Sequence, residues 1–291
     1  MRPSCLIVDA MHPSIIDQLA EIGWHSEYQP GISREDILTI IAHYDGVIVR
    51  SKTHFDRKLV EKATNLKFVA RAGAGLDNLE MEALREHNVA VINAPEGNSD
   101  AVAEHALGML LSLFHNIAKS HHEVKNRKWD REGNRGVELK GKTVGILGYG
   151  NMGKAFSERL SSMGVDLIGY DKYKSGFGND HIKEVNMEEF YLSADVVSIH
   201  VPLLPETYQL VNNDFLNKFA KDIFLINTAR GEIVKTVDLI QQIEAGKVKG
   251  ACLDVLENEK IQNLSKEEEN WFEKLVTKNN VLLTPHIAGW T

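Results

Sequence analysis

The sequence predicts an α/β chain of two parallel-sheet domains with a cleft between them. Three observations carry this reading. Short β-branched runs alternate with amphipathic helical patterns, the βαβα order that gives a parallel sheet covered on both faces. The alternation occurs twice, interrupted by a long apolar-rich helical stretch after Pro95. The glycine-rich run Gly148-Tyr149-Gly150-Asn151-Met152-Gly153 lies mid-chain, with about 140 residues before it, room for a further domain.

In the first series the candidate strands are 5–8, 46–49, 68–70 and 89–92, and the candidate helices are 14–22, 34–42, 56–62 and 81–86. The opening run Cys5-Leu6-Ile7-Val8-Asp9 reads as a first buried strand and not as a signal peptide. A helix is expected from 99 to about 120, followed by a charged stretch over 121–140. The second series has candidate strands 143–147, 166–170, 196–200, 224–227, 251–253 and 281–283, and a helix-like stretch over 154–163. Six strands with helices between them match a full dinucleotide-binding sheet. Both domains therefore read as Rossmann/flavodoxin-like. The expected division is a substrate-binding domain over 1–97, joined by the residues after about 286, and a dinucleotide-binding domain over 98–285.

Composition narrows the partners. The chain is 43% hydrophobic and 25% charged, with a formal net charge of -8. That is an ordinary globular balance, and no basic surface advertises nucleic acid or an anionic membrane. The longest apolar stretch, 106–114, is far too short to span a bilayer. Cys5 and Cys252 both sit in apolar segments, which points to reduced, buried thiols in a cytoplasmic protein. No disulfide or metal framework is expected.

The glycine run follows the apolar strand 143–147 and opens a helix. Gly148 and Gly150 would allow a tight turn and let backbone N–H groups, including those of Asn151 and Met152, approach a pyrophosphate. Gly153 would permit close packing of helix on strand. Asp171 ends the next strand, 18 residues after Gly153. A carboxylate there can accept from both ribose hydroxyls of NAD and would repel the extra phosphate of NADP. Lys172 and Lys174 lie close enough to soften that exclusion.

Other polar residues fall at strand ends, where ligands meet open parallel sheets. They include Arg50-Ser51, Gly73-Ala74-Gly75, His200-Val201-Pro202, Thr228-Ala229-Arg230, Asp254 with Glu259 beyond it, and Pro285-His286. Hydride removal from a secondary alcohol needs a base, and a histidine oriented by a carboxylate suits it. A 2-hydroxy acid also needs a cation for its carboxylate, where arginine can be bidentate. Arg230, Glu259 and His286 supply this set. Singly, each has a bland alternative: a surface or capping arginine, a solvated glutamate in an acidic run, a satisfied loop histidine.

Three segments, Asn227-Thr228-Ala229-Arg230-Gly231-Glu232-Ile233-Val234, Leu253-Asp254-Val255-Leu256-Glu257-Asn258-Glu259 and Thr284-Pro285-His286-Ile287-Ala288-Gly289, resemble the signatures of the D-isomer-specific 2-hydroxyacid dehydrogenases. The resemblance covers essentially the whole chain, through 49–51, 70–78, 93–98, 141–153 and 200–203. It implies an NAD-dependent oxidoreductase in which Arg230 binds and polarises the substrate, His286 is the acid/base and Glu259 is its partner. By the same resemblance Thr228, Ala229 and Asp254, with Arg230 and His286, surround the nicotinamide and its ribose. His200, Val201, Pro202 and Thr207 form the adenosine-side wall. Arg50-Ser51 and the 71–78 segment look most like the D-3-phosphoglycerate dehydrogenase branch, which makes the precursor of serine. That implies conversion of D-3-phosphoglycerate to 3-phosphohydroxypyruvate. The backbone N–H groups of Ala74 and Gly75 are then partners for the substrate carboxylate, and Arg50 and Lys52 could meet a phosphate. Glyoxylate/hydroxypyruvate and D-lactate chemistry stay open. So does a non-catalytic NAD(H) sensor like the carboxy-terminal-binding-protein corepressors. The resemblance also implies a homodimer formed through the long helix after Ser99.

Two departures stand out. The family usually has proline after the glutamate at 259, and this chain has Lys260, which would alter loop stiffness. The chain stops at Thr291, where relatives continue with a helix returning to the first domain. The expectation is a shortened form or another means of closure, with no appended regulatory domain and no serine feedback.

Overall fold

The computed structural model describes residues 2–290, which divide into two compact units, one ending at Asn98 and the other beginning at Ser99. The first unit has strands β1 (Ser4–Ile7), β2 (His25–Tyr28), β3 (Gly46–Val49), β4 (Phe68–Arg71) and β5 (Ala90–Asn93), all parallel, in the order β2-β1-β3-β4-β5. Helices α1 (Ser14–Glu21), α2 (Arg34–Ile40), α3 (Arg57–Lys62) and α4 (Met81–Glu86) make the crossovers. Ser33 and Asp56 cap α2 and α3 by accepting from the N–H groups of Asp36 and Leu59. Leu6, Val47, Val49 and Val69 fill the core on one face of the sheet. Cys5, Ile7 and Ile48 fill it on the other. Cys5, Leu6 and Ile7 of β1 and Val47, Ile48 and Val49 of β3 are therefore all buried, as a doubly covered parallel sheet requires. This is the flavodoxin-like strand order. β2 is the element that hydrophobic patterning misses. It reads His-Ser-Glu-Tyr, lies on the sheet edge and is only partly buried, so no apolar run marks it.

The second unit holds β6 (Thr143–Leu147), β7 (Asp166–Tyr170), β8 (Lys183–Glu184), β9 (Val196–Ile199), β10 (Ile223–Asn227), β11 (Val248–Leu253) and β12 (Val281–Leu283). They form one parallel sheet in the order β12-β11-β10-β9-β6-β7-β8. Read from β8, this is the Rossmann order with one more strand. The extra strand beyond the six expected is β8, two residues long and at an edge. The helices are α5 (Ser99–Phe114), α6 (Ile117–Lys125), α7 (Asn151–Leu160), α8 (Met187–Ser193), α9 (Asn213–Asn217), α10 (Thr236–Glu244) and α11 (Lys266–Val276). The helix expected to run from 99 to about 120 is broken. α5 stops at Phe114, Asn116 takes a left-handed φ of 51°, and Val137 N–H donates to the freed carbonyl of Phe114 at 2.8 Å.

The residues after about 286, expected in the first domain, lie in the second unit. Asp254, at the end of β11, accepts from the backbone N–H groups of Ile287 (3.0 Å) and Ala288 (2.8 Å) and ties the segment there. Among the described residues no helix is long and apolar enough to cross a membrane. Cys5 and Cys252 are free and buried, and burial pushes the Cys5 thiol up to about 12.

Candidate active site

The glycine run forms the turn between β6 and α7. Gly148 has φ +94°, and a Cβ there would lie 2.7 Å from the carbonyl oxygen of His200. A Cβ at 153 would lie 2.1 Å from the carbonyl oxygen of Gly148. These two glycines are demanded by the protein's own backbone. Gly150 differs: a Cβ there meets nothing within 4 Å, so its side of the loop is open. It is the N-cap of α7, whose first N–H groups lie at a positive helix terminus. The three positions divide between a tight turn at Gly148, an open side at Gly150 and close helix packing at Gly153.

Asp171 follows β7 and reaches back to this loop. Its carboxylate accepts from the N–H groups of Tyr149 (2.8 Å), Tyr173 (2.9 Å) and Lys174 (2.9 Å). Burial pushes its pKa up, but these bonds and the Lys174 charge outweigh burial and hold it below the usual range. Lys172 pairs with Glu206 at 2.9 Å, and the Tyr173 hydroxyl donates to the same carboxylate. Glu206 thus neutralises one of the two lysines expected to soften discrimination against a second phosphate. Across the loop, His200 Nε2 meets Ser198 Oγ at 2.8 Å, and burial pushes the ring down to about 4, keeping it neutral. The Thr207 hydroxyl donates to the Pro202 carbonyl (2.7 Å) and accepts from Leu204 N–H (2.7 Å). It shapes the turn that carries Val201 and Pro202.

Arg230, Glu259 and His286 reach the rim from three strand ends. Asn227, buried at the end of β10, folds the turn before Arg230: its Oδ1 accepts from Ala229 N–H (3.0 Å) and its Nδ2 donates to the Arg230 carbonyl (2.9 Å). A Cβ at Gly231 would fall 1.8 Å from the Leu256 carbonyl oxygen, so this turn packs directly on the β11 exit loop. In that loop the acidic run separates by role. Glu257 accepts from Gln209 Nε2 (2.7 Å) and from Thr236 N–H at the start of α10 (3.0 Å). Glu259 accepts from His286 Nδ1 at 2.9 Å. That bond raises the His286 pKa. Burial and Arg230 oppose the rise, and the charges of Glu259 and Asp254 add to it. His286 sits at φ 55°, an uncommon backbone for a residue with a Cβ, and its N–H donates to the Asp254 carbonyl at 2.7 Å. With Nδ1 committed to Glu259, Nε2 is the atom left to exchange a proton.

In the first unit, Arg50-Ser51 follow β3 and Ala74-Gly75 follow β4, neighbouring strands of the sheet. Asp9, 2% exposed, accepts from Arg50 N–H (2.5 Å), Thr53 N–H (3.4 Å) and the Thr53 hydroxyl (2.9 Å). Asn78 Nδ2 bridges the carbonyls of Arg50 (3.1 Å) and Thr53 (2.8 Å). Asn93 Nδ2 holds the Ala74 carbonyl at 2.7 Å. Lys52 turns to the carbonyls of Pro30 (3.3 Å) and Ile32 (3.5 Å).

Residues 107–288 match the NAD binding domain of the D-isomer specific 2-hydroxyacid dehydrogenases. The chain belongs to that family. Within it, D-3-phosphoglycerate dehydrogenase of Archaeoglobus fulgidus is 34% identical over 288 residues, 98% of this chain and 53% of that protein. Hydroxypyruvate reductase of Thermotoga maritima is 33% identical over 260 residues, 89% of this chain and 83% of that protein. A solved D-2-hydroxyisocaproate dehydrogenase superposes with a TM-score of 0.84 at 26% identity, covering 99% of this chain and 91% of that one. The chain spans about half the length of the curated phosphoglycerate dehydrogenases it matches.

The dehydrogenase cofactor, NAD, fits the residues present. Gly150 leaves the loop open, Asp171 offers a charged carboxylate, and Thr228 Oγ1, just beyond β10, is buried without a hydrogen-bond partner. A buried polar atom left in this way is open to a partner, a water or a bound ligand. The departure at Lys260 also finds its explanation. Lys260 N–H donates to Asn258 Oδ1 at 2.9 Å, a bond proline cannot make, and Asn258 Nδ2 donates to Glu268 Oε1 at 2.8 Å. Glu268 belongs to the capping box of α11. A side-chain turn anchored on a helix replaces the stiffness of a proline ring. Pattern reading does not reach Asn78, Asn227 and Asn258, because one asparagine at a strand end carries no periodicity. The turn preference of asparagine is the signal that finds them.

Proposed function

We propose that this chain is an NAD-dependent D-2-hydroxyacid dehydrogenase, with D-3-phosphoglycerate and 3-phosphohydroxypyruvate as its substrate pair. NAD, when bound, supplies or accepts the hydride at the substrate C2. His286 Nε2 gives the proton to the carbonyl oxygen during reduction and takes it from the hydroxyl during oxidation. Glu259 holds Nδ1 and favours the imidazolium. Arg230 binds the substrate carboxylate and polarises the carbonyl. The Glu259–His286 pair, beside the Arg230 turn, is the observation that carries the reading. Asp171 favours NAD over NADP by repelling a 2′-phosphate. The backbone N–H groups of Ala74 and Gly75 receive the substrate carboxylate, and Arg50 and Ser51 receive the far end of the substrate.

A second reading has its own observation. Lys52 is engaged with two carbonyls, which removes one cation from the phosphate argument and favours an unphosphorylated acid such as hydroxypyruvate or glyoxylate. The name of the Thermotoga maritima relative fits it. The two separate in one assay, NADH oxidation with 3-phosphohydroxypyruvate, hydroxypyruvate, glyoxylate and pyruvate. The phosphorylated acid is expected to give the highest kcat/KM. His286→Ala should lower turnover by about 10²–10⁴-fold and leave NADH affinity within about twofold. Turnover unchanged by this substitution refutes the acid/base role. NADH binding without oxidation of any acid indicates a sensor. A homodimer is also proposed, supported by exposed Ile117 and Val124 on α6 and Trp129 beyond it, and sedimentation of the same preparation tests it. Two buried thiols fit a reducing compartment, the cytoplasm.

A further inference from the structure

We infer that His105, on α5, is a positioning residue for His286, acting through Thr284 and Asp254. The inference rests on the acid/base role proposed for His286. His105 Nε2 lies 3.0 Å from Thr284 Oγ1, and Thr284 Oγ1 lies 2.5 Å from Asp254 Oδ1. The direction of each proton follows from chemistry. A carboxylate accepts only, so the single hydroxyl proton of Thr284 goes to Asp254. His105 Nε2 must then carry a hydrogen; it points to Thr284 Oγ1 at 3.0 Å and also lies 3.5 Å from Asp254 Oδ1, so it braces the carboxylate both through the hydroxyl and directly. Its other ring nitrogen takes no part in the relay. Met109 Sδ, 3.6 Å from Thr284 Oγ1, is the competing acceptor. With His105 occupying the hydroxyl oxygen, the proton is directed to the carboxylate, and each bond strengthens the next.

The relay matters because of what Asp254 holds. Its Oδ1 accepts from Ile287 N–H and its Oδ2 from Ala288 N–H, while its carbonyl accepts from His286 N–H. Asp254 is 1% exposed. Three consecutive N–H groups thus hang on one residue, and they hold His286 at its left-handed φ of 55°. From that backbone the ring reaches Glu259 at 2.9 Å. The charged groups acting on His286 are Glu259, Asp254 and Arg230. A loop that loosens weakens the Glu259 bond first, so the imidazole moves toward its ordinary titration range.

The test uses the full chain and two readouts, turnover of the best oxo acid with NADH and the titration of the His286 ring followed by ¹⁵N NMR. His105→Phe keeps a ring and removes the donor. It should lower kcat about tenfold, leave KM and NADH affinity within about twofold, and move the His286 midpoint down. His105→Gln keeps an N–H donor and should recover most of both. Thr284→Ser, which keeps the hydroxyl, should resemble the unmodified chain, and Thr284→Val should resemble His105→Phe. The inference is overturned if His105→Phe leaves both readouts unchanged. It is also overturned if kcat falls while the His286 midpoint stays and His105→Gln gives no recovery, which marks a role in packing alone. If the unmodified chain turns over no oxo acid, the functional reading fails by itself, and the NMR midpoint still decides the relay.

Discussion

The two units build their functional loops on the same plan and finish them differently. In the first, buried Asp9 at the end of β1 receives two N–H groups and one hydroxyl from the loop 50–53. In the second, buried Asp254 at the end of β11 receives two N–H groups and one hydroxyl from the loop 284–288. Both use a carboxylate as an acceptor-only hub, the economical way to satisfy several donors at a strand end. They differ at the hydroxyl. The Thr53 hydroxyl donates to Asp9, whereas the Thr284 hydroxyl, while donating to Asp254, is also held by His105. The first hub shapes a backbone; the second aims a titrating side chain on a strained backbone.

Replacing each aspartate by asparagine turns this difference into a measurement. At position 9, an asparagine oxygen can face the N–H groups of Arg50 and Thr53 while its amide donates to Thr53 Oγ1, which can accept. Asp9→Asn should therefore cost no more than about 1 kcal/mol and leave kcat nearly unchanged. At position 254 no orientation works. One side meets Ala288 N–H and the other meets Ile287 N–H, so the amide always opposes a donor, and Thr284 has His105 on its oxygen. Asp254→Asn should cost about 2–4 kcal/mol and lower kcat by about 10²-fold or more. Thermal melts and NADH-coupled turnover check both. Equal losses in the two variants would erase the distinction between the hubs.

The same contrast explains what the sequence makes legible. Both sheets are readable because their strands are buried on both faces and spell continuous apolar runs, as in Gly46–Val49 and Val196–Ile199. β2 and β8 are not, because these edge strands read His-Ser-Glu-Tyr and Lys-Glu, without the apolar run that the edge strands β5 and β12 keep. The candidate site residues are readable as chemistry: Arg230, His286 and Asp171 each lie just past a strand end, and Glu259 lies on the exit loop of β11. The supports are harder. Asp9 and Asn78 look like ordinary loop residues, and His105 lies inside a helical pattern some 180 residues from the loop it serves. Thr207, expected as a wall of the adenosine site, has its hydroxyl used within its own turn. Long-range hydrogen bonds leave no local periodicity, so only the fold reveals them.

The titrating side chain gives the second hub a pH dependence. The folded pKa of His286 is raised above its ordinary 6.5, chiefly by the bond to Glu259. A raised value means that the stabilisation is complete below 6.5 and is lost as pH climbs through the folded value. Glu259→Gln removes the cause. The melting temperatures of the two proteins should differ most near the acid end of this window and converge above it. In the reducing direction, which needs the imidazolium, the upper limb of kcat/KM should move to lower pH in Glu259→Gln. The loop 50–53 contains no histidine, so Asp9→Asn should show no corresponding step. A difference for Glu259→Gln that grows with pH would contradict the assigned sign.

A small effect is expected at Asn78, and it tests whether the first hub is backbone scaffolding alone. Its amide donates to the carbonyls of Arg50 and Thr53, closing the loop from the side opposite Asp9. Carbonyl oxygens at a partly buried rim can turn to water, unlike the buried N–H groups around Asp254. Asn78→Ala should therefore cost about 1 kcal/mol, a fall in melting temperature of about 2–4 °C for a chain of this size. On the role proposed for Arg50 at the far end of the substrate, the loosened loop should raise KM for the oxo acid a few-fold. It should leave kcat alone, since proton transfer depends on the other hub. If kcat falls with KM unchanged, the loop 50–53 contributes to the chemical step itself, and the division of labour between the two carboxylates has to be redrawn.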